Sequence, residues 1–272
     1  MILTWEIEDQ DIEKVRSFHA KWADDPFVRL RQKRNVDSPR PEITKEKTWM
    51  ALVGCLLTTQ QRSGPGSTVK RFLDTAPFPL NYGVCSGKSD LEGFARETLT
   101  SFGGIRRPPT IAQQISANYK ILNNGLWYEL LSRVQEIIES DNPILERKAA
   151  HLLAKHLHGI GPKQSRNLLQ WIGASKHEIP IDSRITKWLN RYILKYQLSA
   201  NLLADHTYYD MVSDGVQLLC KRADLYPCML DAAIFTSFDQ GWSESDMGVS
   251  ESLNNAEQGS ARDAGSNNTP DS

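Results

Sequence analysis

Apolar residues along most of the chain recur at the spacing of amphipathic α-helices. Segments 49–57 and 130–138 place their apolar residues three or four positions apart, which puts them on one face of a helix. Segment 185–193 repeats this pattern directly after Asp182 and Ser183, residue types that favour a helix start. Few stretches alternate with the two-residue period of a strand. The pattern predicts an all-α protein with about ten helices, given typical helix and loop lengths.

Segment 145–172 predicts two helices joined by a short hairpin. An apolar helical stripe ends at residues 158–163, and a second stripe follows at once. Gly159 and Gly161 allow positive φ and a close approach of another backbone, while Ile160 can fill the space between the helices. The amides at the start of the second helix suit a DNA phosphate and require no particular base sequence. We therefore expect these three hairpin residues to contact DNA.

The composition is that of an ordinary globular protein. The chain has 272 residues, of which 40% are hydrophobic, enough for a substantial core in one large domain or two closely packed lobes. No apolar run approaches the roughly 18 residues that a membrane helix needs. The first residues also lack a basic segment followed by an apolar run. We therefore expect a soluble, cytoplasmic protein with no membrane partner.

The net charge of −1 is unevenly distributed along the chain. Segment 243–272 has six acidic residues and one basic residue, a net charge of −5, which leaves +4 on residues 1–242. That segment is rich in Ser, Asn and Gly and almost free of aromatic residues, so it predicts a disordered acidic tail. The mild basicity of the remainder is compatible with DNA binding, for which a localised patch matters more than the total.

The cysteines indicate neither a disulfide framework nor a metal site. Cys55, Cys85, Cys220 and Cys228 are widely scattered, with no C-x-x-C pair and no tight cluster. We expect them to be reduced and mostly buried, as small hydrophobic residues are. The sequence thus predicts no zinc, no iron–sulfur cluster and no cofactor.

The hairpin belongs to a longer pattern that resembles a known superfamily. Residues 157–165, followed by residues 179–183, are similar to the helix-hairpin-helix and Pro/Asp signature of the HhH-GPD DNA glycosylases, which include endonuclease III and the 8-oxoguanine DNA glycosylases. In members that also cut the strand, a lysine stands two residues after the second hairpin glycine and an aspartate follows. Lys163 and Asp182 match, nineteen residues apart, as in the 8-oxoguanine branch. At the level of helix order the resemblance covers roughly residues 45–240.

This resemblance implies a fold, a partner and a chemistry. It implies that residues 1–242 form one domain of two interleaved helical lobes and that the partner is double-stranded DNA containing a modified base. A neutral lysine amine is a nucleophile, so Lys163 could attack C1′ of the sugar, expel the base and hold the sugar as a Schiff base. Asp182, ionised at a helix N-terminus, could stabilise the positive charge that develops on the sugar. Each residue has an ordinary alternative, a solvated lysine and a plain N-cap, but their combination with the hairpin favours catalysis.

Other positions extend or depart from the pattern. Gln60 and Gln61 resemble the polar helix end that fills the gap left by an extruded base. Arg184 stands where the superfamily often has a histidine, and either a phosphate contact or a changed pocket would explain it. The basic run at 29–40 could line DNA, although such runs are more often a solvated face. Aromatic candidates for stacking on a flipped base are Trp22, Phe27, Trp188, Tyr226 and Phe235.

Three functional hypotheses remain open at this point. The first is a glycosylase and apurinic-site lyase for an oxidised purine, with 8-oxoguanine favoured by the spacing and by cysteines that cannot supply the cluster of endonuclease III. The second is the same chemistry on an oxidised pyrimidine or on a bulky base such as those in bacteriophage DNA. The third is a non-catalytic DNA-binding protein that keeps the hairpin as a phosphate clamp. We expect a monomer in the cytoplasm of a bacterium or archaeon, associated with the nucleoid through DNA.

Overall fold

The computed structural model describes residues 4–243, which contain helices and no strand. The all-α prediction is therefore confirmed. The α-helices are α1 (Asp9–Trp22), α2 (Pro26–Asn35), α3 (Lys45–Leu57), α4 (Thr68–Leu73), α5 (Tyr82–Ser86), α6 (Leu91–Phe102), α7 (Pro108–Ile121), α8 (Trp127–Ser140), α9 (Pro143–His156), α10 (Pro162–Trp171), α11 (Ser183–Tyr192), α12 (His206–Arg222) and α13 (Pro227–Phe238). Short helices such as α4 and α5 explain why the expected number was too low, since they hold too few residues for a periodic pattern. The acidic tail predicted for 243–272 lies, apart from Ser243, outside the described residues.

Proline residues begin many of these helices. α2, α7, α9, α10 and α13 all have proline in their first turn. A proline there costs no hydrogen bond, because the first amides of a helix have no partner within it, and its φ already suits the helix. Pro108 and Pro109 begin α7 in this way.

The helices form two lobes, each with its own core. Helices α3 to α10 surround a large apolar core that runs from Trp49 to Ala174, and we call this unit the central lobe. Helices α1, α2 and α11 to α13 bury the remaining apolar residues and form the terminal lobe, so called because it joins both ends of the described chain. The two-lobed all-α fold expected from the sequence is therefore present.

Buried polar contacts connect the two lobes. Arg166 on α10 is fully buried and donates to the Glu178 carboxylate at 2.8 Å and to Asp210 on α12 at 2.6 Å. Arg147 on α9 also donates to Glu178, at 2.8 Å. Removing one partner of a buried ion pair is strongly destabilising, because the other charge stays buried without compensation. These contacts therefore hold the hairpin helix against the terminal lobe.

All four cysteines are buried and unpaired, which agrees with their predicted role as small hydrophobic residues. Burial raises the pKa of Cys55 to about 12 and that of Cys85 to about 11, so neither is a reactive thiolate. Within residues 4–243, no helix is both long and apolar enough to cross a bilayer.

Candidate DNA-binding and catalytic site

The loop between α9 and α10 forms the hairpin that the sequence predicts. Gly159 has φ of +76°, and a Cβ added there would lie 2.7 Å from the side chains of Gln114 and Leu56. Ile160 is 2% exposed and fills the space between the helices, as expected. Gly161 differs from the prediction, because its φ is −89° and no atom would lie within 4 Å of an added Cβ. Only the first glycine is therefore required by the backbone and by its neighbours.

The hairpin is also fixed from outside by a residue that the sequence did not indicate. Asn118 on α7 donates to the carbonyl of His158 at 2.9 Å and accepts from its amide at 2.7 Å. No side chain caps α10, whose first amide donors belong to Lys163 and Gln164. Helix starts of this kind bind anions through free amides and the positive end of the helix dipole. Since Ile160 has a buried side chain, any DNA contact there has to come from the backbone.

Lys163 lies in the first turn of α10 and has few partners of its own. Its ammonium is 3.4 Å from the Gln164 side-chain oxygen, and the residue is partly exposed. The Gln164 side chain is buried and donates to the Cys55 carbonyl and to the Thr59 hydroxyl, both at 2.7 Å. Gln164 therefore ties the start of α10 to the end of α3, which places Lys163 beside the polar turn that follows α3.

Asp182 is the N-cap of α11, as its sequence context predicts. One carboxylate oxygen accepts from the amides of Arg184 at 2.8 Å and Ile185 at 3.1 Å. The other accepts two bonds from the Arg184 guanidinium, at 2.9 and 2.7 Å. Burial acts to raise the pKa of Asp182, but the charges of Arg184 and Lys163 outweigh it, and the pKa lies below its usual value. Asp182 is therefore an anion at neutral pH, close enough to Lys163 for their charges to interact.

Arg184 is held by carboxylates on both sides. Besides Asp182, its guanidinium donates to Asp239 at 2.9 Å and lies 4.2 Å from the centre of the Phe235 ring. Asp239 in turn accepts from Arg62 at 2.9 Å. Because the guanidinium is already engaged, the geometry favours a positioning role for Arg184 over the phosphate contact proposed from the sequence.

Lys163 and Asp182 lie where a partly open cavity meets a broad surface groove. The cavity has a volume of about 180 Å³, more than ten times the roughly 10–15 Å³ that one water molecule needs. The groove is lined by both glycines of the hairpin and by the turn after α3. Lys163, Asp182 and Arg184 line both spaces. The arrangement suits a strand in the groove with one base turned into the cavity.

Aromatic rings form one wall of the cavity. Phe27 on α2 stacks on Phe235 on α13, with 4.8 Å between ring centres, and Trp242 lies 4.9 Å from Phe27. Two of the five aromatic candidates therefore line the cavity, and the other three, Trp22, Trp188 and Tyr226, pack in the terminal lobe instead. The sequence did not indicate Trp242 because its position depends on packing across the whole chain.

Gln60 and Gln61 both follow the end of α3 in the groove, but their side chains differ. Gln60 is exposed and has φ of +59°, a left-handed conformation that is unusual for a residue other than glycine. The Gln61 amide is engaged at both ends, donating to the Leu57 carbonyl and accepting from the Arg106 amide at 3.0 Å. Arg106, which the sequence did not single out, also donates to the Gln60 carbonyl at 3.3 Å. Gln60 is therefore the freer of the two wedge candidates, and Arg106 adds positive charge beside it.

The basic run at 29–40 does not form one DNA-facing surface. Arg31 is 5% exposed and pairs with Asp231 at 3.0 Å, and Arg34 lines the cavity. Arg40 donates to the Gly173 carbonyl at 2.8 Å. Neither the DNA-lining nor the solvated-face interpretation fits Arg31, because α2 packs against α13 and buries it, whereas Arg34 lines the cavity. Within the described residues no group of three or more His, Cys, Asp or Glu side chains is arranged to hold a metal ion.

Comparison with known proteins shows the fold. The structure of the 8-oxoguanine DNA glycosylase of Thermotoga maritima matches with a TM-score of 0.59 and 16% identity over 85% of this chain and 98% of that one. The 8-oxoguanine glycosylase/lyase of Methanocaldococcus jannaschii, in complex with a 15mer DNA containing 8-oxoguanine, matches with a TM-score of 0.61 and 18% identity over 83% and 95%. Another structure of the Methanocaldococcus jannaschii enzyme gives 0.55 and 18% over 85% and 94%. No family model and no curated protein matches the sequence. The chain therefore has the fold of these glycosylases.

Proposed function

We propose that this protein is a DNA glycosylase with apurinic-site lyase activity that removes a modified base from double-stranded DNA. The observation that carries the proposal is the position of Lys163 and Asp182 at the junction of a broad groove and a cavity with room for a base. A mere phosphate clamp needs neither residue, because backbone amides bind the phosphate. Both halves of the site come from one chain, so a monomer suffices.

The geometry supports a division of labour between the two residues. The Lys163 amine attacks C1′, the bond from C1′ to the base breaks, and the base leaves with the bonding electrons and takes up a proton. Positive charge on the sugar is stabilised by the Asp182 carboxylate in the transition state. Loss of a proton from nitrogen and opening of the sugar ring then give a Schiff base, from which elimination of the 3′ phosphate cuts the strand.

The structure constrains the identity of the removed base less closely than it constrains the chemistry. 8-Oxoguanine is the first candidate, because the three solved structures compared above are of 8-oxoguanine glycosylases. A base larger than a purine is the second candidate, and the size of the cavity favours it. Both leave the chemistry at Lys163 and Asp182 unchanged.

Trapping with borohydride tests the chemistry independently of the base. On a duplex with a preformed apurinic site, borohydride should reduce the Schiff base and give a stable protein–DNA complex. Lys163→Gln should abolish trapping and strand cleavage while leaving DNA affinity intact. Lys155→Gln is the matched control, since Lys155 is an exposed lysine on α9. No trapped complex with the wild type, or cleavage by Lys163→Gln at the wild-type rate, would replace this proposal with a monofunctional enzyme or a DNA-binding module.

A further inference from the structure

The cavity is longer than a single base requires. Lys163, Asn167 and Trp171 all line it and stand four residues apart, so they lie on one face of α10. At 1.5 Å per residue this face is about 12 Å long. A base attached to a sugar beside Lys163 would cover the first part of that face, and the rings of a purine are shorter than the whole of it. The far part of the cavity is therefore open to something other than the base rings.

Arg34 occupies that far end of the cavity. It lines the cavity from α2 and packs against Gly173, two residues beyond Trp171, where an added Cβ would lie 3.1 Å from the Arg34 side chain. Its Nε donates to Asn35 at 3.1 Å. Asn35 is fully buried and is itself fixed by bonds to the carbonyls of Gln170 and Ser175, both at 2.8 Å. The guanidinium is thus held by the fold, as recognition of a ligand requires.

Among the described residues Arg34 has no carboxylate partner, unlike three other cations that line the cavity. Arg31 pairs with Asp231 at 3.0 Å, Lys70 with Asp74, and Arg184 with Asp182. Among residues 4–243 no carboxylate lies within ion-pair distance of Arg34, and no acceptor bonds to its Nη groups. Burial, together with the charge of Arg31, lowers the pKa of Arg34 to about 9, so it still carries its proton at neutral pH. An unpaired, half-buried guanidinium facing a cavity favours an anionic or oxygen-rich partner.

This inference rests on the proposed function. We propose that the cavity accepts a base whose substituent ends in an anionic or strongly hydrogen-bond-accepting group, and that Arg34 recognises that group. The aromatic wall of Phe27 and Phe235 would hold the rings near the sugar, and the face of α10 would carry the substituent toward Arg34. A guanidinium offers paired N–H donors that match a carboxylate or phosphate in one plane. Under this proposal 8-oxoguanine fits the near part of the cavity and leaves Arg34 without a partner.

Matched duplexes test this inference through binding. N6-carboxymethyladenine and N6-ethyladenine differ mainly in the carboxylate, and 5-carboxylcytosine and 5-hydroxymethylcytosine form a second, shorter pair. Each base is placed on a 2′-fluoro sugar, which slows its release, and dissociation constants are compared with those for an 8-oxoguanine duplex. The full-length wild type should bind the carboxymethyl base at least about tenfold more tightly than the ethyl base, the size expected for a charge-assisted hydrogen bond. The shorter pair should show a smaller ratio.

Variants assign the preference to Arg34. Arg34→Met should reduce the carboxymethyl-to-ethyl ratio to near one, and Arg34→Lys should keep part of it because the charge remains. Arg29→Met, the same change at an exposed arginine on the same helix, should leave the ratio intact. All three variants should still be trapped by borohydride at a preformed apurinic site, since that substrate has no base to recognise.

The outcomes separate this inference from the proposed function. If the wild type is trapped at an apurinic site but binds neither carboxylate base more tightly than its neutral counterpart, the inference is wrong and the function stands. The same follows if 8-oxoguanine binds more tightly than every enlarged base, or if Arg34→Met keeps the preference. Failure of trapping, whatever the binding ratios, contradicts the proposed function instead.

Discussion

The two lobes contribute to the site in different ways. The central lobe supplies the hairpin and Lys163 from one continuous stretch of α9 and α10. The terminal lobe supplies Asp182 together with Phe27 and Phe235, which are 208 residues apart in the sequence. One half of the site is therefore a local motif, and the other half exists only because distant segments pack together.

Lys163 and Asp182, the two charged residues at the junction of cavity and groove, also differ in the number of contacts that hold them. Lys163 has a single contact of 3.4 Å, whereas the Asp182 carboxylate accepts four hydrogen bonds between 2.7 and 3.1 Å. A nucleophile has to move toward the sugar carbon, and a carboxylate that stabilises a transition state has to stay fixed before the reaction begins. Under the proposed function the central lobe thus provides the nucleophile, which has few contacts, and the terminal lobe provides the carboxylate, which is held by many.

Weakening the buried ion pairs between the two lobes should have the largest effect, and that effect is on stability. Glu178→Gln removes the charge that two arginines share and leaves the fully buried Arg166 partly uncompensated. We expect the free energy of unfolding to fall by about 3–5 kcal/mol, measured by urea denaturation. Glu129→Gln is the control, because its pair with Arg133 is exposed and should contribute less than about 1 kcal/mol. Equal losses in the two variants would show that the buried contacts do not hold the lobes together.

Removing the charge of Asp182 should slow catalysis and leave DNA affinity unchanged. Asp182→Asn keeps the shape of the side chain but removes its charge, so base release should slow by about 10²- to 10³-fold. Cleavage at a preformed apurinic site should fall much less, because that substrate has already lost its base. Single-turnover rates on both substrates give the comparison. A similar loss on both would place Asp182 in the elimination step instead.

The same carboxylate predicts a pH dependence of stability. Because the pKa of Asp182 is below its ordinary value of about 3.9, ionised Asp182 stabilises the folded state at every pH above that value. The contribution is lost as the pH falls from there through the lower, folded pKa. Urea denaturation at several acidic pH values should therefore show a steeper loss for the wild type than for Asp182→Asn. Parallel curves would show that the aspartate is not ionised preferentially in the folded protein.

Replacing the two hairpin glycines, Gly159 and Gly161, should have different effects on the free energy of unfolding. Gly159→Ala forces a left-handed residue with a crowded Cβ, which costs about 1–3 kcal/mol. Gly161→Ala meets no neighbour and should change the free energy of unfolding by less than about 0.5 kcal/mol. Thermal denaturation distinguishes the two, and DNA affinity should follow the same order. Equal effects would contradict the close packing of Gly159 against α3 and α7.

The smallest effect is expected at the turn after α3. Gln60→Ala should slow excision several-fold from a fully paired duplex and less from a mismatch or a single strand, because a wedge matters most where unstacking costs most. Gln61→Ala should act differently, since its amide binds the Leu57 carbonyl and the Arg106 amide. Its effect should be the same on paired and mismatched substrates. An equal response to pairing in the two variants would contradict the assignment of Gln60 as the wedge.

Several parts of the site could be predicted because their signals are local. The helix stripes, the hairpin at 158–163 and the N-cap at Asp182 each depend on residues within one or two helical turns. Gly161 shows the limit of such signals, because the same residue type as Gly159 has neither a positive φ nor a crowded Cβ. Glycine permits these conformations without requiring them.

The sequence by itself determined the all-α class and the hairpin, because period, turn chemistry and capping are properties of neighbouring positions, and its resemblance to a known signature singled out Lys163 and Asp182. Only the tertiary structure decided that Arg31 pairs with Asp231 while Arg34 faces the cavity. In the sequence both are members of one basic run. Their environments come from α10 and α13, more than 100 residues further along the chain. A charge acquires its role from the dielectric and the partners around it, and packing alone brings those together.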